Sequence, residues 1–133
     1  MEKEFVPFGR EMGFKVAFSN ALGIDLARAK RLIFISGQIA FDEKGNFIGR
    51  GDIEAQTRQV LKNIQRHLEK LGGKMTDVVQ VTVFVKEMSG LEKIHQVRLQ
   101  FFQEPYPTST LVEVKGFVHP DALIEINALA IIY

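Results

Sequence analysis

The sequence predicts an α+β domain with the element order β-β-α-β-α-β-β, in which two helices cover one face of a mixed sheet. Two observations carry this prediction. Two segments repeat their apolar residues at helical spacing and are bounded by residues that begin or end helices. Five other segments are rich in β-branched or aromatic residues, and some of them alternate along the strand. No linker or repeat divides the chain, so residues 1–133 are expected to form a single domain.

The first two strands are predicted before the first helix. The residues up to position 15 are too mixed to assign, and Lys15-Val16-Ala17-Phe18 then forms a short strand candidate. Residues 31–40 are almost continuously apolar and β-rich, which indicates a buried strand. Residues 42–46, Asp-Glu-Lys-Gly-Asn, predict a turn.

The first helix has marked ends. Asp52 is the predicted N-cap, Glu54 favours the positive first turn, and Gly72-Gly73 ends the helix. Apolar residues at helical spacing predict one buried face, made of Ile53, Val60, Leu61, Ile64, Leu68 and Leu71. The polar residues predict the solvent side, made of Gln56, Arg58, Gln59, Lys62, Gln65 and Glu69.

The second half of the chain predicts a strand and then a helix. Residues 77–86 form the strand, because valines at every second position line one of its faces. Ser89 and Glu92 have the spacing of a capping box and predict the helix start. Pro105 and Pro107 end the helix.

The last two predicted strands are residues 110–114 and 123–132. Two helices cover only one face of a sheet, and the other face still carries Val, Phe and Leu side chains. An apolar face of this kind predicts contact with partner subunits.

Composition excludes several kinds of site. The 133 residues contain no cysteine, which excludes disulfides, thiolate metal sites and cysteine nucleophiles. His67, His95 and His119 lack metal-ligand spacing, so we expect no metal. Gly49 and Gly51 lack the glycine pattern of a nucleotide-binding loop, and we expect no organic cofactor. With 17 basic and 16 acidic residues, a nucleic-acid partner is not expected. The chain has no signal-like start and no apolar run of about 20 residues, so we expect no membrane association and a cytoplasmic location.

Four segments, taken in order, resemble the RidA/YjgF family. They are ISGQI at residues 35–39, DIEAQTRQVLKNI at 52–64, DVVQVTVFV at 77–85 and LIEINALA at 123–130. The resemblance runs from about Phe18 to Ile132 and is specific as a set. It implies a chorismate-mutase-like fold, a homotrimer, and small-molecule pockets in the clefts between subunits. Typical members hydrolyse reactive enamines and imines, such as 2-aminoacrylate, to keto acids and ammonia.

The resemblance also implies site residues. Ser36 matches the strand serine that lines the family pocket, and Glu125 matches the acid that positions the attacking water. Phe18 stands where typical members have a tyrosine, and His95 where they have an asparagine. The family binds the substrate carboxylate with the arginine of a Pro-Ala-Arg-Ser segment. That segment is Pro-Thr-Ser-Thr here, so Ser109 replaces the arginine.

Each assignment has a structural alternative. Ser36 also fits a turn at a strand end, and Glu125 also fits an exposed position or a pair with a lysine. His95 is either a ligand-contacting residue or a surface histidine on a helix flank. Arg98 is either a substitute cation or, in the preferred interpretation, an exposed helix arginine. Ser109 and Thr110 bind an anion through hydroxyls and backbone amides, or are ordinary polar residues at a strand entry.

Three functions follow from the resemblance. The first is a hydrolase of the enamine or imine deaminase type, with Glu125 as the catalytic residue and Phe18, Ser36, His95, Ser109 and Thr110 binding the ligand. The second is a non-catalytic trimer that binds a metabolite, which the missing arginine favours. The third is a ribonuclease or translation inhibitor, since some relatives have been described so. Near-neutral charge and the lack of a basic stripe weigh against the third.

Overall fold

Two α-helices and one six-stranded sheet make up residues 3–133, the part of the chain that the structure, a computed structural model, describes. The strands are β1 Glu4–Pro7, β2 Ser19–Gly23, β3 Arg31–Gln38, β4 Val78–Val85, β5 Thr108–Glu113 and β6 Ile124–Ile132. The helices are α1 Ile53–Lys70 and α2 Leu91–Phe101. The predicted class is confirmed, with one strand more than predicted.

The sheet is mixed, with the strand order β1-β2-β5-β4-β6-β3. Strand β6 runs antiparallel to both of its neighbours, β3 and β4, whereas β5 runs parallel to β4 and β2. Both helices pack on one face, and the core lies between them and the inward residues of β3, β4 and β6. Alternation along β6 is as predicted, since Ile124, Ile126, Ala128 and Ala130 are all buried.

Helix α1 begins as its sequence predicts. Asp52 is the N-cap, and its side chain accepts a hydrogen bond from the Ala55 amide at 3.1 Å. Two side chains depart from the predicted faces. Gln56 is fully buried, because it hydrogen-bonds the backbone of the loops that cover this side of the helix, and Leu71 is 45% exposed at the helix end.

The N-terminal prediction is wrong in detail. The predicted strand at residues 15–18 is not a strand, and pairing begins at Ser19, whose amide donates to the Pro107 carbonyl at 3.1 Å. The physical reason is that the Ala17 amide donates to the His95 side chain instead of to a neighbouring strand. Strand β1, within the residues left unassigned from sequence, pairs antiparallel with β2.

The start of α2 also differs from its prediction. Gly90 is the N-cap and has no side-chain hydrogen bond, so Ser89 and Glu92 form no capping box. A 3-10 turn at Met88–Gly90 precedes the helix and carries Ser89 away from its first turn. The Ser89 hydroxyl donates to the Glu87 carboxylate at 3.4 Å instead.

The sheet face opposite the helices, here called the open face, is partly apolar. On β3 it carries Leu32, which is 51% exposed, and Phe34, which is 74% exposed. Val112 on β5 adds to it at 39% exposure. Side chains of this size at this exposure are a candidate contact surface for other protein chains.

Candidate functional site

Glu125 stands on the open face, in a row of side chains that crosses four strands. It pairs with Phe84 on β4, and Phe84 pairs in turn with Val112 on β5. On the other side, the Glu125 carboxylate extends over Gly37 of β3, and a Cβ at Gly37 would overlap it. A glycine inside a strand often marks such a close approach, and here it makes room for a carboxylate.

A shallow cleft of about 370 Å³ opens beside Glu125. Its remaining lining consists mostly of apolar side chains and backbone, from Phe84, Val114, Gly116, Phe117 and Val118. In the part of the chain that is described, the Glu125 carboxylate forms no ion pair and accepts no side-chain or loop hydrogen bond. The cleft therefore offers a free carboxylate beside two aromatic rings. We call it the Glu125 cleft.

A row of polar side chains lies next to Glu125 on the same face. Thr110 pairs with Thr82, and Thr82 pairs with Asn127, whose side-chain oxygen accepts the Thr82 amide at 3.2 Å. Ser36 is exposed near the end of β3, and its backbone carbonyl accepts a hydrogen bond from the Gln38 side chain at 3.0 Å. Thr110 therefore shares its sheet face with Glu125, and Ser36 lies on the strand that borders β6.

Ser109 lies on the other side of the sheet. It pairs with Val81, which is buried beneath the helices, whereas Glu125 pairs with Phe84. Positions 81 and 84 are an odd number of residues apart in a regular part of β4, so their side chains point to opposite faces. Ser109, at the position where the resemblance leads us to expect an arginine, thus does not point to the face that carries Glu125.

Phe18 and His95 lie together, and Phe18 lines a second cleft. Phe18 lines an open cleft of about 520 Å³ with Phe8, Phe14 and Tyr106 among others, and the Glu125 cleft shares none of its residues. The centroids of the Phe18 and His95 rings are 5.7 Å apart. We call this second site the Phe18 cleft. Within one chain, the predicted site residues therefore do not converge on one place.

Both polar residues of α2 near Phe18 are buried. His95 is 2% exposed, which excludes the surface alternative, and its Nδ1 accepts the Ala17 amide at 3.3 Å. Arg98 is 1% exposed, so the expectation of an exposed arginine is wrong. It turns inward because its guanidinium donates to the Ala17 carbonyl at 3.5 Å. Burial, with a smaller effect of Arg98, lowers the pKa of His95 to about 4.

An aromatic stack holds the loop that forms one wall of the Glu125 cleft. The His119 ring lies parallel to the Phe47 ring, with centroids 4.1 Å apart, and its Nδ1 accepts the Asp121 amide at 3.1 Å. Arg50 bridges to the Asp121 carboxylate at 2.9 Å. The loop from Val114 to Asp121 is therefore anchored to the segment that leads into α1.

Sequence reasoning missed several members of the Glu125 cleft. The sequence does contain a signal for Phe84, because the alternation of residues along β4 places Phe84 on the face opposite the buried valines. Gly37 had another, because a glycine within a strand indicates a close approach. Phe117 and Val118 lie in a loop without periodicity, and nothing in the sequence assigned them to the cleft.

Neither a metal centre nor a membrane span emerges from the described residues. Residues 3–133 contain no group of three or more His, Asp or Glu side chains that could hold a metal ion. No helix in the same range has the length and apolar character needed to cross a bilayer.

Comparisons with known proteins agree on one family. The family model described as Endoribonuclease L-PSP matches residues 15–132. A RutC family protein of Pyrococcus horikoshii is 44% identical over 103 residues, 77% of this chain and 81% of the relative. The 3-aminoacrylate deaminase RutC of Acinetobacter baylyi is 36% identical over 107 residues, 80% of this chain and 84% of that enzyme. A Yersinia pestis protein of the Rid family, of unknown function, matches with a TM-score of 0.84 and 27% identity, over 99% of this chain and 100% of that one.

Proposed function

The chain belongs to the RidA/YjgF family, and on that premise we propose that it hydrolyses reactive enamines or imines to a keto compound and ammonia. The observation that carries the proposal is the Glu125 carboxylate, which extends over Gly37 beside an apolar cleft and has no ion-pair partner among the described residues. A carboxylate free of partners is available to accept a proton from water.

The proposed reaction needs little from the protein. An enamine first becomes an imine, as a proton leaves nitrogen and another is added to the β-carbon. Water then adds to the imine carbon, and Glu125 accepts the proton that the water loses as the new C–O bond forms. That proton passes to the nitrogen, which gives a carbinolamine. Glu125 then accepts the remaining hydroxyl proton and delivers it to the nitrogen, so that the C–N bond breaks, ammonia leaves, and the carbon keeps a C=O bond. Phe84 and Phe117 give the cleft apolar walls beside the carboxylate.

The 3-aminoacrylate deaminase from Acinetobacter baylyi supports the reaction class, at 36% identity. The substrate of this chain should differ from that of the enzyme, because Ser109 stands in place of the arginine and points to the helix side of the sheet. Thr110 is the predicted ligand residue that shares the face of Glu125, and it offers a hydroxyl rather than a charge. We propose a substrate that depends less on a carboxylate anchor than 2-aminoacrylate does.

We further propose that the protein is a homotrimer whose sites are completed between subunits. The exposed Leu32 and Phe34 supply an apolar contact surface on the open face. The Glu125 and Phe18 clefts are separate within one chain, yet both contain positions that resemble the family pocket. Contact between the Glu125 cleft of one copy and the Phe18 cleft of the next would bring Glu125 and Phe18 into one site.

A coupled assay tests the activity. 2-Aminoacrylate and 3-aminoacrylate are generated in situ, and the appearance of ammonia is compared with and without protein. We expect acceleration by the wild type, and a loss of about 10²- to 10⁴-fold for Glu125→Gln, the usual size of a general-base contribution. Glu54→Gln, an exposed acid at the start of α1, is the matched control and should keep full activity. No acceleration of either substrate, or of imines from several other precursors, would refute the proposal.

A non-catalytic metabolite-binding role is the second candidate, and the presence of Ser109 in place of an arginine favours it. Without a guanidinium at this position, a ligand is held by hydroxyls and apolar walls, which suits reversible binding. Calorimetric titration with a panel of keto acids separates the two roles. Binding that persists in Glu125→Gln, together with no turnover by the wild type, would favour the binding role.

A further inference from the structure

Helix α2 binds both polar groups of a single distant backbone residue. The Ala17 amide donates to His95 Nδ1 at 3.3 Å, and the Ala17 carbonyl accepts from Arg98 Nη2 at 3.5 Å. His95 and Arg98 are three positions apart, so both point to one side of the helix. Ala17 itself is fully buried. We call this arrangement the Ala17 clamp.

The clamp places a charge where burial is costly. Arg98 is 1% exposed, its Nη1 has no hydrogen-bond partner within residues 3–133, and no carboxylate pairs with it there. Burial lowers the pKa of Arg98 to about 10, which leaves it charged at neutral pH. A buried cation without a counter-charge is destabilising, and an apolar side chain would fill this place without that cost. Within the described residues, the hydrogen bond of this guanidinium goes to the Ala17 carbonyl.

Phe18 is the residue that this fixed backbone presents. Its ring centroid lies 4.6 Å from that of Phe8 and 5.7 Å from that of His95, and it lines the Phe18 cleft. The segment just before it has no strand partner, because the ladder of β2 begins at Ser19. The wall of the Phe18 cleft therefore depends on a helix side-chain clamp at this point rather than on the sheet.

We propose that His95 and Arg98 are positioning residues that hold Phe18 in the wall of its cleft, with His95 as a neutral hydrogen-bond acceptor and not as an acid or base for a ligand. Because Nδ1 accepts the Ala17 amide, the ring proton is on Nε2. The proposal rests on the proposed function only in that Phe18 contacts a ligand. The clamp itself does not depend on any activity.

Nuclear magnetic resonance tests the clamp without a substrate. Long-range ¹H–¹⁵N spectra of the wild type should show His95 as the neutral Nε2–H form from pH 8 to pH 5. Hydrogen exchange of the Ala17 amide should be about tenfold faster in His95→Leu, which cannot accept the bond, than in the wild type. In His95→Asn, whose amide oxygen can accept it, the exchange rate should stay close to that of the wild type.

Two further measurements keep the test decisive. The Val60 amide, in the middle of α1, reports whether a variant still folds and should exchange at the same rate in all of them. Arg98→Met removes the other half of the clamp and should also accelerate exchange at Phe18 and Ala17. An Nδ1–H tautomer, a His95 that titrates near pH 6.5, or unchanged Ala17 exchange in His95→Leu would each overturn the clamp.

A kinetic comparison then links the clamp to the site. For any substrate or keto acid that the wild type uses or binds, His95→Leu should raise KM or Kd several-fold and leave kcat nearly unchanged, and His95→Asn should behave as the wild type. Loss of kcat in His95→Asn with Ala17 exchange unchanged would make His95 a catalytic residue and overturn the proposal. A wild type without activity or binding would refute the proposed function, while exchange at Ala17 would still decide the clamp.

Discussion

The carboxylate of Glu125 occupies the space that a side chain at Gly37 would take. The two residues lie on neighbouring strands, β6 and β3, where the register shifts between Ile35 and Gln38. The irregular end of β3 thus places Gly37, which has no side chain, next to the Glu125 carboxylate. This relationship fixes where the carboxylate sits, and so where it meets a ligand or a water molecule.

Gly37→Ala should displace the Glu125 carboxylate and lower kcat/KM, or ligand affinity, by at least about tenfold, since a shift of about 1 Å is enough to cost that much. Gly37 does not have a positive φ, so alanine suits its backbone, and the stability to urea should change by less than about 1 kcal/mol. Gly23→Ala is the matched control, because a Cβ there makes only ordinary contacts and should leave activity unchanged. Full activity in Gly37→Ala would contradict the assignment of Glu125.

Gln56→Leu should destabilise the protein by about 2–4 kcal/mol, because it removes the hydrogen-bond partner of three partly buried backbone groups. The Gln56 amide donates to the carbonyls of Gly49 and Asp121 at 3.0 and 2.9 Å, and its oxygen accepts the Leu123 amide at 2.8 Å. Urea denaturation measures the loss. Gln65→Leu, on the same helix and facing an open surface groove, should stay within about 0.5 kcal/mol of the wild type. Equal stabilities for the two variants would contradict this role of Gln56.

Gln56 also illustrates where prediction from sequence ended. Helical spacing gave α1 its position and its N-cap, and alternation gave the buried faces of β4 and β6. The spacing of apolar residues shows on which side of the helix a side chain lies, but it does not show whether a loop covers that side chain. Gln56 and Arg98 were therefore placed in solvent, although both are buried against backbone from distant segments.

The candidate site was predictable only in part, for a similar reason. The family resemblance indicated Glu125, Ser36 and Thr110, and the register of the sheet brings Glu125 and Thr110 to one face. The position of Glu125 over Gly37 depends on the irregular pairing of β3 with β6, which no local pattern encodes. The side of the sheet on which Ser109 lies was likewise not predictable, because it follows only from the pairing of Ser109 with Val81.

Phe34→Lys should prevent assembly of the proposed trimer. Phe34 is 74% exposed on the open face, and a buried lysine without a partner at a subunit contact is costly. Light scattering at micromolar concentration should give the mass of three chains for the wild type and a smaller mass for the variant. Leu71→Lys is the matched control, since Leu71 is exposed at the end of α1 and away from the open face, and it should remain trimeric. A monomeric wild type would contradict the architecture.

His95 should make the stability of the protein depend on pH between about 4 and 6.5. Its pKa in the folded protein is about 4, lowered from 6.5 by burial and by Arg98. Between these values the unfolded chain binds a proton that the folded chain does not, so the free energy of unfolding falls as the pH falls through this range. Below about pH 4 both states are protonated and the effect levels off. The full loss is roughly 3 kcal/mol.

Urea denaturation of the wild type and His95→Asn at pH 7.5, 5.5 and 4.5 measures this contribution, because the carboxylates titrate alike in both proteins and cancel in the difference. The wild type should lose stability more steeply with acid than His95→Asn does, since asparagine takes up no proton. His67→Asn is the matched control. The pKa of His67 is also lowered, chiefly by burial, but this ring is only partly buried and its removal should change the pH dependence less. Parallel pH profiles for the wild type and His95→Asn would show that His95 is not held as a neutral acceptor in the folded protein.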